Sequence, residues 1–132
     1  MTGFLLDTSV FLWSLAAPDK LNSEALQVLR EQHQRLFLSA ASSWEISIKA
    51  SLGKLKLPEP ASQFVPKRLA SLGIQSLPII DAHALYAGEL PRHHADPFDR
   101  MLVAQAQLEN LTLLTADPLL KGYSVRQMWC GR

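Results

Sequence analysis

The 132-residue chain has a single cysteine, Cys130, two residues from its end. One thiol closes no internal disulfide, and without a second cysteine no Cys/His zinc spacing exists. Cys130 reads as a tail thiol, and a reducing cytoplasm is the expected compartment. Long apolar runs are missing too: none reaches the ~18–20 residues that span a bilayer. No Lys or Arg precedes Lys20, so the mostly apolar stretch from Phe4 to Ala17 lacks the positive region of a secretory leader. Asp7 also interrupts it, and the stretch reads as mature structure. Net charge is nearly absent. Thirteen Lys+Arg face twelve Asp+Glu, a formal +1, which excludes a polycationic nucleic-acid coat and an acidic tail. With 19% charged and 48% hydrophobic residues, the chain is no solvated, disordered polymer. Internal repeats, low-complexity tracts and Gly-Ser linkers are absent. The length fits one domain, residues 1–132, with enough buried surface for a core without staples.

What is present is alternation. Gly3-Phe4-Leu5-Leu6, Leu36-Phe37-Leu38 and Leu111 to Thr115 are short apolar runs that predict buried strands, with Ile74 to Leu77 a further candidate. Tyr123 to Arg126 could add one more. Between them lie helix signals. Asp7-Thr8-Ser9 supplies capping chemistry for Val10 to Ala16, stopped by Pro18. Asn22-Ser23 opens a helix with Ala25, Leu26 and Leu29 inward and a wet end from Glu31 to Arg35. Ser39 caps a helix to about Leu52, with Ala41, Trp44 and Ile48 as its inner face and Gly53 at the C-cap. Ala61 to Leu72 has helical spacing through Phe64, Leu69 and Leu72, ends at Gly73 and contains Pro66. Asp81 to Leu90 is a short helix. Asp96 as N-cap, Pro97 as N1 and Asp99 as N3 open a strong helix to about Asn110, with Phe98, Leu102 and Ala106 buried. Strands alternating with helices imply an α/β fold, three layers deep, around a short, mostly parallel sheet.

The acids fall in a pattern that net charge conceals. Asp7 follows the first strand directly and Asp117 follows the last clear strand by two residues. In a parallel sheet both lie at the carboxyl edge, where open α/β sheets place their sites. Asp96 and Asp99 begin the helix before the Leu111 strand, and Glu45 lies in the second turn after the Leu36 strand, so all three start near that same edge. Two carboxylates about 4 Å apart repel by roughly 4 kcal/mol at an effective dielectric near 20, so such a cluster needs protons or a cation. The donors are hard oxygens, which suits Mg²⁺ or Mn²⁺ and phosphoryl chemistry. Each acid also has an ordinary reading: cap, exposed helix residue, dipole partner or turn. Their joint placement carries the argument.

Four segments resemble one family. Phe4-Leu5-Leu6-Asp7-Thr8-Ser9 resembles the opening of PIN-domain ribonucleases, and Ser43-Trp44-Glu45-Ile46-Ser47-Ile48-Lys49 their helical glutamate segment. His94-Ala95-Asp96-Pro97-Phe98-Asp99-Arg100-Met101-Leu102-Val103-Ala104-Gln105-Ala106 is similar to the VapC-type toxins of type II toxin–antitoxin systems. Leu113-Leu114-Thr115-Ala116-Asp117 resembles their last acidic segment. The resemblance implies a PIN-like domain and Mg²⁺- or Mn²⁺-dependent RNA cleavage. It implies Asp7, Glu45 and Asp99 as core metal-binding acids, Asp117 as a fourth, weaker or water-mediated contact, and Asp96 as an auxiliary acid. Whether Asp96 or Asp99 is the direct ligand stays open. Thr8, Ser9 and Thr115 would orient carboxylates or a metal water. A homodimer, a larger toxin–antitoxin assembly and neutralisation by a cognate antitoxin protein are also implied.

The remaining charge fits a polyanion substrate. Between Ile46 and Ile80 stand Lys49, Lys54, Lys56, Lys67 and Arg68 against Glu59 alone, an excess of +4. Lys49, Lys54 and Lys56 are candidate RNA contacts. Arg100 could contact a phosphate or form a salt bridge. His93-His94 invites a metal reading, but adjacent residues point apart and the loop looks exposed. Trp13, Trp44 and Trp129 could stack on bases, while core or dimer packing better suits the first two. Two alternatives stand beside the nuclease. An aspartyl-phosphate phosphatase with Asp7 as nucleophile wants another Asp two residues on, where this chain has Ser9. A non-catalytic PIN-scaffold protein-binding module would be expected to lose members of an acid set that is complete here.

Overall fold

A computed structural model describes residues 3–31 and 34–132. Five strands, β1 (Phe4–Leu6), β2 (Leu36–Ser39), β3 (Ile74–Leu77), β4 (Thr112–Thr115) and β5 (Gln127–Trp129), form one sheet in the order β3-β2-β1-β4-β5. All four pairings are parallel, with Leu5 opposite both Phe37 and Leu113. The helices are α1 (Thr8–Ala16), α2 (Ser23–Arg30), α3 (Ala40–Ser51), α4 (Ala61–Leu72), α5 (Asp81–Glu89) and α6 (Pro97–Leu108).

Strand pleating divides the apolar residues between two cores. Leu6, Leu36, Leu38 and Leu114 point to one face, where Val10, Phe11, Ala25, Ile46, Phe64 and Val65 from α1 to α4 cover them. Leu5, Phe37 and Leu113 point to the other, under Ala87 of α5 and Leu102, Val103 and Ala106 of α6. A strand buried on both faces must be apolar at every position, which is why the runs are continuous rather than alternating. The result is the three-layer α/β/α arrangement expected from the sequence.

The caps form as local chemistry predicts. Asp7, Asn22, Ser39 and Asp96 each cap their helix by accepting a backbone N–H. Gly53 and Gly73, at φ 74° and 67°, end α3 and α4 in the left-handed conformation that glycine tolerates best.

Three expectations are corrected. On α3 the buried residues are Ala41, Ser42, Glu45 and Ile46, while Trp44 is 63% exposed. The apolar spacing 41, 44, 48 misassigns the inner face because that face carries the polar Ser42 and Glu45. The last strand begins at Gln127, not Tyr123. Asp117 caps a 3-10 turn from Pro118 to Gly122, and Leu120 and Tyr123 are buried core anchors, so pairing with β4 starts later. Cys130 is no loose tail thiol: it is fully buried, its N–H bonds Thr115 O (2.8 Å) and its carbonyl accepts from Asn22 N (2.8 Å). Burial pushes its thiol well above the ordinary value. The predicted wet end of α2 includes residues 32 and 33, which lie outside the described residues; α2 itself ends at Arg30.

Sheet order places the site. β1 connects to β2 on one side, while its other neighbour, β4, arrives later in the chain. The crevice at the carboxyl ends of β1 and β4 is therefore a topological switch point. The Asp7 N–H bonds Leu114 O at 2.9 Å there, fixing Asp7 beside the end of β4.

Candidate active site

Asp7 is 4% exposed. Its Oδ1 accepts from Val10 N at 2.7 Å as the cap of α1, and Thr115 Oγ1 and the Ala116 N–H also donate to it. Burial nonetheless pushes its carboxyl above the usual range, and the nearby Asp117 adds to this. Thr115 Oγ1 in turn accepts from Asp117 N at 3.0 Å, so one hydroxyl ties the two acids together.

Thr8 crosses from α1 to α3. Its Oγ1 lies 2.7 Å from Glu45 Oε1 and 2.9 Å from Ser42 Oγ. A carboxylate only accepts, so the Thr8 proton goes to Glu45. Glu45 Oε2 receives Lys49 Nζ at 2.8 Å, one turn along α3. That pairing raises the Lys49 ammonium above its ordinary value, and Asp96 and Asp99 add to the effect. Ser9 is exposed on the first turn of α1.

Asp96 Oδ1 accepts from Phe98 N at 2.8 Å as the cap of α6. Asp99 follows in the first turn, with a 22% exposed side chain. Desolvation first and Asp96 next push the Asp99 carboxyl up to about 7; Asp7 and Glu45 push the same way, while His94 opposes. Asp99 thus senses Asp7, Glu45 and Asp96, acids contributed by α1, α3 and α6. Asp117 stands at the rim. Its Oδ1 caps the 3-10 turn through Leu119 N (2.9 Å), and its Oδ2 lies 2.8 Å from His94 Nε2.

The five sequence-derived acids therefore share one edge of the sheet, and Thr8, Thr115 and Lys49 join them. Lys54 and Lys56 do not; both are exposed in the connection after α3, where Lys56 borders an apolar cleft of about 370 Å³ beside Leu12, Leu57 and Phe64. Arg100 is turned away altogether. It is 6% exposed, and its guanidinium donates to the carbonyls of Ala87 (2.9 Å), Leu90 (3.0 Å) and Pro91 (3.1 Å). Among the described residues it pairs with no acid; it is a clamp between α6 and the end of α5 rather than a group facing the acid cluster.

Ser42 escaped the sequence reading, and Trp44 and His94, both considered there, are placed otherwise than their spacing suggested. Ser42 supports Thr8 and Glu45. Trp44 packs edge-on against Phe98 (centroids 5.4 Å apart), so each aromatic immediately precedes a site acid. His94, which looked like an exposed loop residue, is 12% exposed, and its Nε2 also lies 3.3 Å from Asp99 Oδ2. One ligand atom each from His94, Asp99 and Asp117 falls within 4.8 Å of the others. The available signal was the position of His94 two residues before an N-cap, where an imidazole can turn back onto the helix start.

Residues 4–124 match the family model described as PIN domain. Ribonuclease VapC22 of Mycobacterium tuberculosis is 30% identical over 124 residues, 93% of each chain. Ribonuclease VapC16 of the same organism is 39% identical over 70 residues, 53% of this chain and 49% of that protein. This second match spans about half the length of the relative. Among solved structures, DNA-bound VapBC from Salmonella typhimurium superposes with a TM-score of 0.73 at 20% identity, covering 97% of this chain and 98% of that one. A toxin–antitoxin complex from Klebsiella pneumoniae gives 0.65 at 20% identity, covering 92% and 93%. At these identities the structural likeness is one of fold.

Proposed function

Because the chain belongs to the PIN-domain family, we propose that it is a divalent-metal-dependent endoribonuclease, the toxin of a type II toxin–antitoxin pair. The observation that carries this reading is the convergence of Asp7, Glu45, Asp96 and Asp99 on one edge of the sheet, where burial first and the neighbouring acids next push Asp99 up to about 7. Carboxylates raised in this way are short of positive charge. Their all-oxygen donor set fits a hard cation such as Mg²⁺ or Mn²⁺. Asp7, Glu45 and Asp99, with Asp96 beside them, would hold it. Bound there, the ion supplies a Lewis acid for a phosphate oxygen and lowers the pKa of a water.

The chain's own groups prepare the site. Val10 N–H and Thr115 orient Asp7, Thr8 orients Glu45, and Lys49 pairs with the second oxygen of Glu45. Without a cation, Asp99 keeps a proton to higher pH than an ordinary carboxyl does, and Asp7 is raised in the same direction. RNA would approach along exposed Lys49, Lys54 and Lys56, with Trp44 offering an aromatic surface beside Glu45 for a base next to the scissile phosphate. A cognate antitoxin is the proposed protein partner, in keeping with the complexes in which the fold relatives occur. We place the activity in the cytoplasm, in a homodimer of single-domain chains spanning 1–132. Among the described residues no helix is long and apolar enough to cross a membrane.

The test is to map 5′ RNA ends after brief induction of the wild-type chain and of Asp7→Asn. New, discrete ends are expected with the wild type alone. Asn keeps the cap acceptor for Val10 N but loses the charge, so Asp7→Asn should fold and lose more than the ~10–100-fold that removal of a supporting partner costs at a metal site. Full, EDTA-sensitive cleavage by Asp7→Asn would reject the assignment. No cleavage in Mn²⁺ together with no bound metal would leave a protein-binding scaffold.

A further inference from the structure

The His94 imidazole has a defined place in the acid cluster, and its hydrogen bonds specify which nitrogen bears the proton. The Asp96 N–H points at His94 Nδ1, 3.1 Å away. A ring nitrogen that accepts a backbone N–H carries no hydrogen of its own, so in the neutral ring the hydrogen sits on Nε2. That Nε2–H faces Asp117 Oδ2 at 2.8 Å, with Asp99 Oδ2 3.3 Å away. A protonated Nε2 donates to carboxylates and leaves no lone pair for a cation.

The ring is also held from behind. The His94 N–H donates to Tyr123 Oη (3.0 Å), and Tyr123 Oη–H donates to Pro91 O (2.8 Å). Arg100, buried beneath the loop, donates to Pro91 O (3.1 Å) and reaches His94 O at 3.4 Å. The loop therefore takes its position from α6 and from the segment that leads into β5. Those are the same two parts of the chain that carry Asp99 and Asp117.

We infer that His94 is a positioning residue of the acid cluster: its Nε2–H donates to Asp117 and its ring lies against Asp99, setting the two carboxylates beside each other before any cation binds. Asp117 then has both oxygens engaged, Oδ1 by Leu119 N and Oδ2 by His94. It shapes the site from its rim. This inference rests on the metal-dependent reading above and concerns how the chain prepares for that metal.

The test compares wild type, His94→Ala and His94→Gln in a calorimetric titration with Mn²⁺, thermal unfolding serving to verify the fold. The Gln side chain can place an amide N–H near the position of Nε2 but replaces the imidazole. The alanine variant should bind Mn²⁺ about 10–100-fold more weakly, the usual cost of losing a group that orients a metal ligand. The glutamine variant should recover most of that loss. The electron spin-echo signature of Mn²⁺ on the wild type should show no directly bound imidazole nitrogen. Unchanged affinity in His94→Ala, no recovery in His94→Gln, or a directly bound nitrogen would each overturn the inference while leaving a working metal site. The imidazole ¹⁵N spectrum of the metal-free protein reads the tautomer by itself. A protonated Nε2 and bare Nδ1 are expected; the opposite tautomer overturns the inference whatever the metal does. Failure of the wild type to bind Mn²⁺ at all would overturn the proposed function and the inference together.

Discussion

Lys49 Nζ sits 2.8 Å from Glu45 Oε2, a single helical turn along α3, and is the positive charge paired with that acid at the cluster. The Lys49 side chain is about half exposed, so the pair itself contributes little stability, ~1 kcal/mol or less. Its consequence lies in competition. An ammonium on Glu45 opposes a cation seeking the same oxygen. Lys49→Met should therefore tighten Mn²⁺ binding, by roughly two- to fivefold on that energy scale, and should weaken RNA binding in the same protein. Isothermal titration with each ligand reads both effects. Weaker Mn²⁺ binding in the variant would show that Lys49 assists the cation.

Asp99 links stability to pH. Its folded-state value, about 7, lies above its ordinary 3.8. The native state then holds a proton that the unfolded chain releases between about pH 4 and pH 7. The associated stabilisation is fully present below pH 4 and is lost as pH rises through 7, with an upper limit of ~4 kcal/mol from the size of the shift. Asp7, also raised, acts in the same direction. In EDTA, urea unfolding should show stability falling over this window, and Asp99→Asn should flatten the fall. Metal must displace the proton, so Mn²⁺ affinity should climb as pH approaches 7. Stability rising across the window in EDTA would contradict the account.

Trp44 is exposed beside Glu45 and touches Phe98 at its edge. Loss of a base-stacking surface typically costs ~1–3 kcal/mol per base. Trp44→Ala should weaken binding of an uncleaved RNA analogue by that order while shifting unfolding by less than ~1 kcal/mol, because little of the ring is buried. Equal RNA affinity would take Trp44 out of the substrate path. A shift in oligomeric state would place it at a protein interface.

Arg100 gives the opposite expectation. Its charge is buried and satisfied by main-chain carbonyls from Ala87 to Pro91. Arg100→Lys cannot reproduce the planar fork and should destabilise the fold by about 2–4 kcal/mol, the range for disrupting a buried charged network. Thermal unfolding would show it. A variant as stable as wild type but defective in RNA binding would return Arg100 to the substrate.

Much of this was legible because the relevant physics is local. Asp7, Ser39 and Asp96 cap helices through bonds that span two or three residues, so a short segment contains all the information. Continuous apolar runs such as Phe4–Leu6 declare strands buried on both faces. The placement of the acids at one edge follows from those two facts and the parallel sheet.

Side-chain direction at the site was not legible. The helical pattern assumes that the buried face is the apolar face, and α3 breaks that rule because it buries Ser42 and Glu45 against Thr8 and turns Trp44 outward. The roles of His94 and Arg100 depend on a loop fixed by Tyr123, more than twenty residues further along, through bonds that no local spacing encodes. Cys130 became a core residue for the same kind of reason, by bonding Thr115 and Asn22 across the sheet. The sequence alone determined the elements, their caps and which acids could meet. Only the tertiary structure decided which hydroxyl, imidazole or ammonium each acid would meet there, since those partners are chosen by packing between segments distant in the chain.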